Sequence, residues 1–570
     1  LSADDGEPLI GATVMVKGTS TGVLTDIDGK FTLPNVSSRS KLEFSYVGML
    51  PQSLSPSPTM KVTLQSDVQT LSEVVVTGMQ RMDKRMFTGA TDQLKAENIK
   101  MDGMADISRG LEGRSAGVSV QNVSGTFGTA PKIRVRGATS IYGSSKPLWV
   151  VDGVIMEDVA EIGADDLSSG DAETLISSAI AGLNADDIES FQILKDGSAT
   201  SIYGARAMAG VIVVTTKKGK GKTTVDYGFN MRFTTNGIMA FSPSMQEYAT
   251  MWLEANKEMP EHDWWGWGEE NLKKMAQGIE GIYESTVADW GTMFVGNANR
   301  LDELFARRYS YQHNLSVAGS TDKSDYRISL AYADNQANLA TAYDGQKQLN
   351  LRLNYGIKLT DWFKLETLAS MIKTNTETPT HGIDRTLYGN DAPFFPAKNP
   401  YGQWYANFGN VGDRNAAAAT TDGGRDEREK LTTRVDFKAL VDIWKGITFE
   451  GTASFQNEEY RRERYSLPVQ CYNWFGEQTA KLVYETTQTL STPQDVMNFK
   501  DSHQPGYLVQ ANNARYQYYS GLLKYKRTFA EVHNIDAMFG ISAEKWVNKK
   551  DGVRHHFLDT YEDAGKTKEE

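Results

Sequence analysis

The chain of 570 residues is poor in cysteine and proline, with one cysteine, Cys471, and 16 prolines. A single cysteine excludes an internal disulfide framework and any zinc cluster built from cysteines. Scarce proline beside 51 glycines and 10% aromatic residues is typical of an ordered, turn-rich β protein and not of a disordered chain. The length predicts about two to four domains.

Long apolar runs and excess positive charge are also missing. No stretch of about eighteen apolar residues occurs, which excludes a transmembrane helix but not a membrane barrel, whose strands are polar on average. The net charge of −12 argues against a nucleic-acid partner, since such binding depends on basic surface. The seven histidines lack any zinc-binding spacing, and paired carboxylates do not stand out from solvated charge. We therefore predict no metal, no cofactor and no catalysis.

The hydrophobic pattern separates two small regions at the start of the chain. Residues 1–67 contain short strands with regularly spaced turns, which predict a small β-sandwich. Residues 81–218 combine strands such as PLWVVDGVI with the short helical segment SATSIYGARAMAG, which predicts a compact α+β domain. Between them, residues 68–80 carry the β-prone run LSEVVVTGM. This run is either the last strand of the sandwich or a strand left free to pair with another protein.

Residues 219–570 have long strands of period two. In YRISLAYAD, the apolar Ile328 and Leu330 alternate with Arg327 and Ser329. One apolar face, one polar face and long loops at a single end are what a transmembrane β-barrel requires. A large soluble β-sandwich or barrel is the alternative. Nine strands are predicted near 224–233, 310–318, 325–334, 347–358, 363–373, 431–441, 447–457, 515–526 and 533–546.

The strand count implies an incomplete wall. An odd, open set of strands leaves unpaired edges that nothing in lipid can satisfy. We therefore expect residues 219–570 to form the N-terminal part of a larger barrel, and the chain to be the N-terminal portion of a longer protein.

Several motifs carry a family resemblance. IRVRGATSIYG at 133–143, PLWVVDGVI at 147–155 and IESFQILKDGSATSIYGARAMAGVIVVTTKKG at 188–219 resemble the plug of SusC-like TonB-dependent transporters. EPLIGATVMVKGTSTGVLTDIDGKFTL resembles the carboxypeptidase-regulatory-like domain that precedes this plug. Residues 157–183 look like an insertion in the plug.

The resemblance implies a mainly β protein of the outer membrane of a Gram-negative bacterium. Its parts are a carboxypeptidase-regulatory-like β-sandwich at 1–67, a periplasmic linker with a TonB box at 68–80 and an α+β plug at 81–218. Residues 219–570 then form the first part of an antiparallel transmembrane barrel of roughly 22 strands.

The resemblance also implies active import of a nutrient too large for porins, most often an oligosaccharide. The implied partners are TonB with its inner-membrane energising complex, a SusD-like surface lipoprotein, the substrate and outer-membrane lipid. The alternatives are a peptide importer of the same family and a surface receptor or signal transducer without net transport.

The family's functional segments map onto particular residues. A TonB box binds TonB by strand addition, in which an extended peptide pairs with an exposed sheet edge. In this chain the resemblance places that box at Leu71, Ser72, Glu73, Val74, Val75, Val76, Thr77 and Gly78. Arg136 and Lys195 stand where related transporters carry plug arginines that pair with barrel-wall glutamates, so we predict that they latch the plug. An ordinary surface ion pair is the alternative for these two.

Aromatic residues in the long loops are the predicted substrate contacts, because flat aromatic faces beside amides suit sugar rings. The alternative is that these side chains pack the loops themselves or contact the lipoprotein. The residues are Trp264, Trp265, Trp267, Trp404, Tyr405 and Trp474.

Overall fold

The computed structural model describes most of the chain in two compact units, Leu1–Thr91 and Asp92–Glu570. The described residues are 7–19, 21–37, 40–46, 49, 51–64, 74–83, 87, 89–100, 107–121, 131–137, 146–156, 183–235, 243–258, 266–286, 291–298, 303–380, 394–406, 415–467, 469–482, 506–529, 533–556, 561–563 and 566–568.

Strands dominate both units. In chain order, β1 to β28 are Thr13–Val16, Gly22–Leu24, Leu42–Ser45, Gln52–Leu54, Val74–Val76, Arg81–Asp83, Thr91–Lys95, Val118–Gln121, Lys132–Val135, Leu148–Val151, Val154–Met156, Ile188–Leu194, Val211–Thr216, Thr224–Thr234, Gly281–Glu284, Thr292–Val295, Arg308–Ser320, Ser324–Gln336, Gly345–Thr360, Phe363–Pro379, Gly424–Trp444, Ile447–Ser466, Val469–Tyr472, Gln478–Leu482, Gly506–Phe529, His533–His556, Tyr561–Asp563 and Lys566–Lys568.

The helices are few and short. Helices α1 to α5 are Ala96–Ile99, Gly197–Thr200, Met245–Glu258, Gly268–Ala276 and Ala416–Asp422. Three 3₁₀ helices are Ile107–Leu111, Ala185–Asp187 and Ser201–Ala207. Within the described residues, none of the helices has the length and apolar character needed to cross a membrane.

The first unit contains a four-stranded antiparallel sheet in the order β2-β1-β3-β4. Val14 and Phe44 are buried on one face of this sheet. Phe31 and Val62, which come from runs predicted to be strands, pack against that buried face from segments that are not assigned as strands. The described strands of this domain thus form one layer, and the predicted second layer is represented by irregular segments.

The plug segment (residues 92–218) is built on a five-stranded sheet in the order β11-β10-β13-β12-β7. Strands β10 and β13 run parallel and consist of the apolar sequences LWVV and VIVVTT. Such continuous apolar runs are expected where a sheet is covered on both faces. The core includes Phe191 and Ile212, both fully buried. The predicted α+β plug is confirmed.

The wall sheet (strands β14, β17 to β22, β25 and β26) contains nine antiparallel strands joined in chain order. Every predicted strand of this region is present in the predicted order. Several strands are longer than predicted; β21, for example, runs from Gly424 to Trp444. The apolar alternation stops before the strand does, because the first part of β21, GRDEREK, is polar or charged while its backbone ladder continues.

The wall sheet has an inverted distribution of polarity. On β18, Ile328 and Leu330 are 47% and 44% exposed, whereas Arg327 and Ser329, which alternate with them, are buried. The buried face of the wall sheet is the one that contacts the plug segment, as the bonds from Arg327 and Ser329 to Asp187 show. Apolar side chains outside and polar side chains inside are typical of a membrane barrel and unsuited to a soluble sheet.

Candidate functional site

Asp152 of the plug segment contacts the wall from the tip of a tight hairpin. Asp152 and Gly153 link β10 to β11 with φ values of 54° and 93°. Two positive φ angles in a two-residue loop are the reason for an Asp-Gly sequence at this turn. The Asp152 carboxylate accepts hydrogen bonds from Thr216 N (3.0 Å) and Thr216 Oγ1 (2.8 Å), which fix it on the plug. Its Oδ2 atom also accepts from Arg352 Nη2 of β19 at 2.8 Å.

Asp187 makes a second contact in which a plug carboxylate binds a wall arginine. It is the last residue of the 3₁₀ helix Ala185–Asp187, whose start is capped by the Asn184 side chain accepting from Asp186 N at 3.2 Å. The buried Asp187 carboxylate accepts from Arg327 Nη2 (3.3 Å) and from Ser329 Oγ (2.7 Å), both on β18. The cap therefore orients a plug carboxylate toward a wall arginine.

Arg434 of β21 binds the plug backbone. Its guanidinium donates two hydrogen bonds to Asp436, from Nε at 2.9 Å and from Nη2 at 2.5 Å, and this fixes its orientation. Ser454 Oγ donates to the same carboxylate at 2.5 Å. From that position Arg434 Nη2 donates to the carbonyl oxygen of Val151 at 3.2 Å. A planar, preorganised fork of donors suits this use of arginine.

These three interactions form one buried patch, which we call the arginine contact. Charge-assisted hydrogen bonds of this kind are strong, and breaking them leaves a desolvated charge without a partner. The arginines come from three wall strands, β18, β19 and β21, so the patch joins the plug to more than one strand of the wall. The arginine contact consists of Val151, Asp152 and Asp187 of the plug segment with Arg434, Arg352 and Arg327 of the wall.

Two further ion pairs join the plug segment to the wall, with the charges reversed. Lys218 Nζ lies 2.8 Å from Glu366 Oε2, and Arg206 Nη1 lies 2.5 Å from Glu544 Oε1. All four side chains keep between 20% and 41% of their surface exposed. We call them the peripheral pairs. Ion pairs with access to water contribute less than buried ones.

A buried tyrosine precedes Arg206 by three residues in the chain. Tyr203, in the same 3₁₀ helix, is buried, as is Tyr518 of β25. Burial raises the pKa of the Tyr203 phenol, and the nearby Tyr518 raises it further. Tyr203 is therefore uncharged throughout the physiological range.

The structure places the two predicted latch residues elsewhere. Lys195 is buried and its Nζ donates to Asp92 Oδ2 (2.5 Å) and to the carbonyl oxygen of Ala116 (2.6 Å). Both partners belong to the plug segment itself, so the prediction of a barrel-wall glutamate as the partner of Lys195 is wrong. Lys195 follows β12, and β7, which carries Asp92, is the neighbouring strand of the plug sheet. The lysine therefore reaches an aspartate of the plug itself.

Arg136, the other predicted latch residue, follows β9 with a φ of 57°, and its backbone N donates to the carbonyl oxygen of Gly117 at 2.7 Å. In the part of the chain that the structure describes, no ion pair joins Arg136 to the wall. Its proposed role as a latch remains a prediction. The contacts that do join plug and wall include plug carboxylates, which lie in the motifs PLWVVDGVI and LNADDIES, and wall arginines at polar positions of predicted strands.

The segment predicted as the TonB box is described from Val74 onward, and Leu71, Ser72 and Glu73 lie outside the described residues. Val74–Val76 pairs with Arg81–Asp83 in an antiparallel hairpin. The interpretation of this run as an unpaired strand is therefore wrong. The following segment supplies the partner, because Gly78 with a φ of 87° allows the chain to reverse.

Three of the predicted aromatic contacts lie in a shared core of the long loops. Trp267 and Tyr405 are buried there, and Trp474 stacks on Phe294 with ring centroids 3.7 Å apart. Tyr405 is held further by its hydroxyl oxygen, which accepts from Phe294 N at 2.9 Å. Trp267 and Tyr405 therefore present no surface to a substrate. Both residues pack the loops themselves, which was the alternative prediction for them.

The remaining candidates differ from one another. Trp404 is half-buried, and its Nε1 donates to Asp422 Oδ2 at 2.5 Å. Lys398 lies over the Trp404 ring, 4.5 Å from its centroid. Trp264 and Trp265 lie outside the described residues. None of these contacts assigns a substrate-binding role.

Two further aromatic residues of the same loops are exposed. Tyr401 and Phe475 keep 69% and 54% of their surface exposed. Tyr401 lies beside Gly476, the residue after Phe475, where an added Cβ would lie 3.3 Å from the Tyr401 ring and 3.4 Å from Gln403 Oε1. We call Tyr401, Gln403, Phe475 and Gly476 the loop-tip patch. No signal in the sequence distinguishes these exposed rings from the buried ones.

Comparisons with known proteins agree with this architecture. Residues 1–76 match the CarboxypepD_reg-like domain, and residues 83–211 match the TonB-dependent Receptor Plug Domain. The chain is 33% identical to the TonB-dependent receptor SusC of Bacteroides thetaiotaomicron over 337 residues, which are 59% of this chain and 30% of SusC. It is 24% identical to the TonB-dependent receptor P39 of Formosa agariphila over 561 residues, 96% of this chain and 46% of P39.

The chain thus spans less than half the length of these two relatives. Among solved structures, the RagAB peptide importer in its 'open-open' state matches with a TM-score of 0.62 and 20% identity. That match covers 86% of this chain and 51% of the other, and it establishes the fold.

A plug domain set against an inverted wall sheet defines a TonB-dependent receptor, an outer-membrane β-barrel protein with a periplasmic N-terminus. The chain is similar to the SusC-like members of these receptors, in agreement with the motifs in its sequence.

Proposed function

We propose that the protein imports an oligosaccharide across the outer membrane, driven by TonB pulling on residues 71–78. The observation that carries this proposal is the arginine contact, in which buried wall arginines bind plug carboxylates and a plug carbonyl. A passive pore or an adhesin has no need for a plug held by buried charge. A gate that opens only under an applied force does need one.

The force enters through the N-terminal side of the plug. Residues 71–78 bind TonB by strand addition, which gives a row of backbone hydrogen bonds that resists a pull along the strand. The pull then reaches β7, the edge strand of the plug sheet. Asp92 on β7 is bound to Lys195. This pair links the edge strand β7 to the end of β12.

The arginine contact keeps the gate closed without TonB. Removing one partner of a buried ion pair costs about 3–5 kcal/mol, because the other charge stays desolvated. Two such pairs that must separate together make spontaneous opening rare. Work done through TonB supplies the missing free energy.

The loop-tip patch supports a saccharide as the substrate. Tyr401 and Phe475 expose flat apolar faces, and Gln403 places an amide beside them. An aromatic face supplies apolar contact area to a sugar ring, and an amide bonds to its hydroxyls. A peptide is the second candidate substrate, since the similar RagAB structures are described as those of a peptide importer. A SusD-like lipoprotein is the proposed partner at this outer side.

Uptake by whole cells tests the proposal. Cells that carry the full-length protein take up a fluorescent oligosaccharide when TonB is present and not when it is deleted. Deleting residues 71–78, or replacing Val75 with proline, is expected to leave surface expression intact and abolish uptake. Uptake that persists without TonB contradicts energised import. Uptake of a labelled peptide but not of the saccharide identifies the peptide alternative, and binding without uptake identifies a receptor.

The patch itself has a matched pair of variants. Tyr401→Ala removes the ring, whereas Tyr401→Phe keeps the ring and loses the hydroxyl. We expect Tyr401→Ala to weaken oligosaccharide uptake through a higher KM at unchanged maximal rate, because an outer binding contact is lost and the gate is untouched. Tyr401→Phe should resemble the wild type. Equal KM values in all three proteins contradict a role for this ring.

A further inference from the structure

We infer that two matching turns from different long loops form a rigid platform on which two aromatic rings bind neighbouring units of one saccharide. The turns are Asn399–Gln403 and Asn473–Glu477, which we call the paired turns. Asn399 is the positioning residue of this platform, because its side chain joins the two turns. This inference rests on the proposed function and deepens it, since it gives the loop-tip patch two sugar subsites.

The paired turns share one sequence pattern. NPYGQ and NWFGE each have asparagine first, an aromatic residue third, glycine fourth and an amide or carboxylate side chain fifth. Gly402 and Gly476 have φ values of 77° and 85°, so the fourth position favours glycine. Tyr401 and Phe475, the exposed rings of the loop-tip patch, both occupy the third position. Two loops thus present a ring from the same point of the same turn.

The hydrogen bonds of the paired turns also match. Asn399 Oδ1 accepts from Tyr401 N at 3.1 Å and from Gln403 N at 3.0 Å, and the second turn makes the equivalent bonds at 3.0 Å and 2.9 Å. Asn399 Nδ2 donates to Gln403 Oε1 at 2.9 Å, and the equivalent bond to Glu477 Oε2 is 2.8 Å. Each asparagine therefore orients the backbone that carries a ring and the polar side chain that ends the turn.

A third turn with the same hydrogen bonds shows that folding does not require the rings. At Asp26–Lys30 of the first unit, Asp26 Oδ1 accepts from Asp28 N at 3.0 Å and from Lys30 N at 2.8 Å. The third position of that turn is the polar Asp28. The turn therefore forms without an aromatic residue there, so a ligand accounts for the exposed rings of the paired turns better than folding does.

A side-chain bond joins the paired turns. Asn399 is 5% exposed, and its Nδ2 also donates to the carbonyl oxygen of Asn473 at 3.0 Å. At the base of the turns, Tyr472 N donates to the carbonyl oxygen of Trp404 at 2.8 Å. The turns are therefore neighbours before a ligand arrives, and binding orders little of the chain. The backbone bond at the base keeps the loops together when the Asn399 side chain is changed.

The polar groups beside the rings suit the hydroxyls of a sugar. The bond from Asn399 directs Gln403 Oε1 into the turn, which leaves the Nε2 amide to donate outward. Glu477 is exposed and supplies a carboxylate as an acceptor. Since a hydroxyl both donates and accepts, a donor and an acceptor beside flat apolar faces match a saccharide. Two rings on neighbouring turns then contact two units of the same chain.

The dependence of affinity on saccharide length tests the inference. The probes are fluorescent linear hexose oligosaccharides of increasing length, with a methyl monosaccharide as competitor, added to the purified full-length receptor in detergent. Because two contacts on one platform bind a chain together, we expect the oligosaccharides to bind about a hundredfold more tightly than the monosaccharide. Phe475→Ala should remove most of this gain, and Phe475→Tyr, which keeps a ring, should retain it.

Matched variants separate the joining bond from the turn itself. Serine keeps an oxygen that can accept the bonds of the turn, but it lacks the amide. Only Asn399→Ser removes the bond between the turns, because Asn473 accepts that bond through its backbone. We expect Asn399→Ser to reduce the gain with length about tenfold at unchanged monosaccharide affinity, and Asn473→Ser to keep the gain. The same gain in both variants, or an equal loss of both affinities in Asn399→Ser, overturns the role of Asn399.

The outcomes distinguish this inference from the proposed function. If the wild type and Phe475→Ala bind the oligosaccharides equally well, the two-ring platform is overturned while saccharide import stands. If the wild type neither binds nor imports any of these saccharides, the saccharide proposal and this inference fall together.

Discussion

The plug segment meets the wall through two kinds of ion pair that share their chemistry and differ in burial. In the arginine contact, Arg327 and Arg352 are nearly inaccessible to solvent. In the peripheral pairs, Lys218 and Arg206 keep more than a third of their side-chain surface exposed. The polarity also differs, because the plug supplies carboxylates to the first set and cations to the second.

This difference in burial predicts which contacts hold the plug segment most strongly against the wall. When a buried ion pair breaks, its charges are left without solvation by water. When an exposed pair breaks, water solvates both charges, so the cost is small. The arginine contact therefore holds the plug, and the peripheral pairs adjust its edges. Three changes test this division.

Removing a buried carboxylate should have the largest effect. Asp187→Ala leaves Arg327 desolvated without its carboxylate, at a cost of about 3–5 kcal/mol to the closed plug. We expect faster amide hydrogen exchange in the plug segment and open-channel events in planar bilayers. The matched control is the adjacent Asp186→Ala, because Asp186 is part-exposed and pairs with Lys100 of the plug at 2.6 Å. Equal exchange in the two variants contradicts the division.

Removing both partners should cost less than the sum of the single changes. Asp152→Asn keeps a residue that tolerates a positive φ, so the hairpin turn remains while the charge is lost. Combined with Arg352→Gln, it leaves no unpaired charge in the buried patch. We expect a coupling of about 1–3 kcal/mol between the two positions in plug stability. Strict additivity in this double-mutant cycle shows that Asp152 and Arg352 act independently.

The smallest effect is expected at a peripheral pair. Lys218→Ala breaks a contact with access to water and should change plug stability by less than about 1 kcal/mol. The change should shrink further at high salt, since exposed charges are screened. Exchange rates of the plug measured at low and high ionic strength check both statements. An effect as large as that of Asp187→Ala makes burial the wrong explanation.

The fold was predictable from the sequence for a physical reason. The alternation of apolar and polar residues along each wall strand identifies its two faces. On β18, for example, Ile328 and Leu330 lie on one face and Arg327 and Ser329 on the other. The short turns and long loops then fix which strands are neighbours. None of this requires knowledge of distant contacts, and the nine strands appear in the predicted order.

The arginine contact was harder to predict because its partner residues are distant in the chain. Asp152 and Arg352 are 200 positions apart, and both lie in segments whose type was predicted correctly. Local pattern marks them as polar but does not pair them. The partner of Lys195 was also not predictable from local pattern. The lysine pairs with Asp92 on β7 of the plug and not with a wall glutamate.

The loops show a different limit. The long loops build their own hydrophobic core, in which Trp267 and Tyr405 are buried. Tyr401 and Phe475, of the same residue class, stay exposed. Composition alone treats all four residues alike, and only the packing of the loops distinguishes a core residue from a surface ring.

A reversible lock at the arginine contact tests the central claim most directly. Asp187 and Ser329 are in hydrogen-bond contact at 2.7 Å, so Asp187→Cys/Ser329→Cys can be joined by oxidation or by a short bis-maleimide. Asp187→Cys alone, treated in the same way, is the control, because it loses the same carboxylate without forming the link. The measurement is oligosaccharide uptake by cells with TonB. We predict that uptake stops when the pair is joined and returns on reduction of the disulfide. Uptake that continues with the plug fixed to the wall contradicts a gate opened by release of this contact.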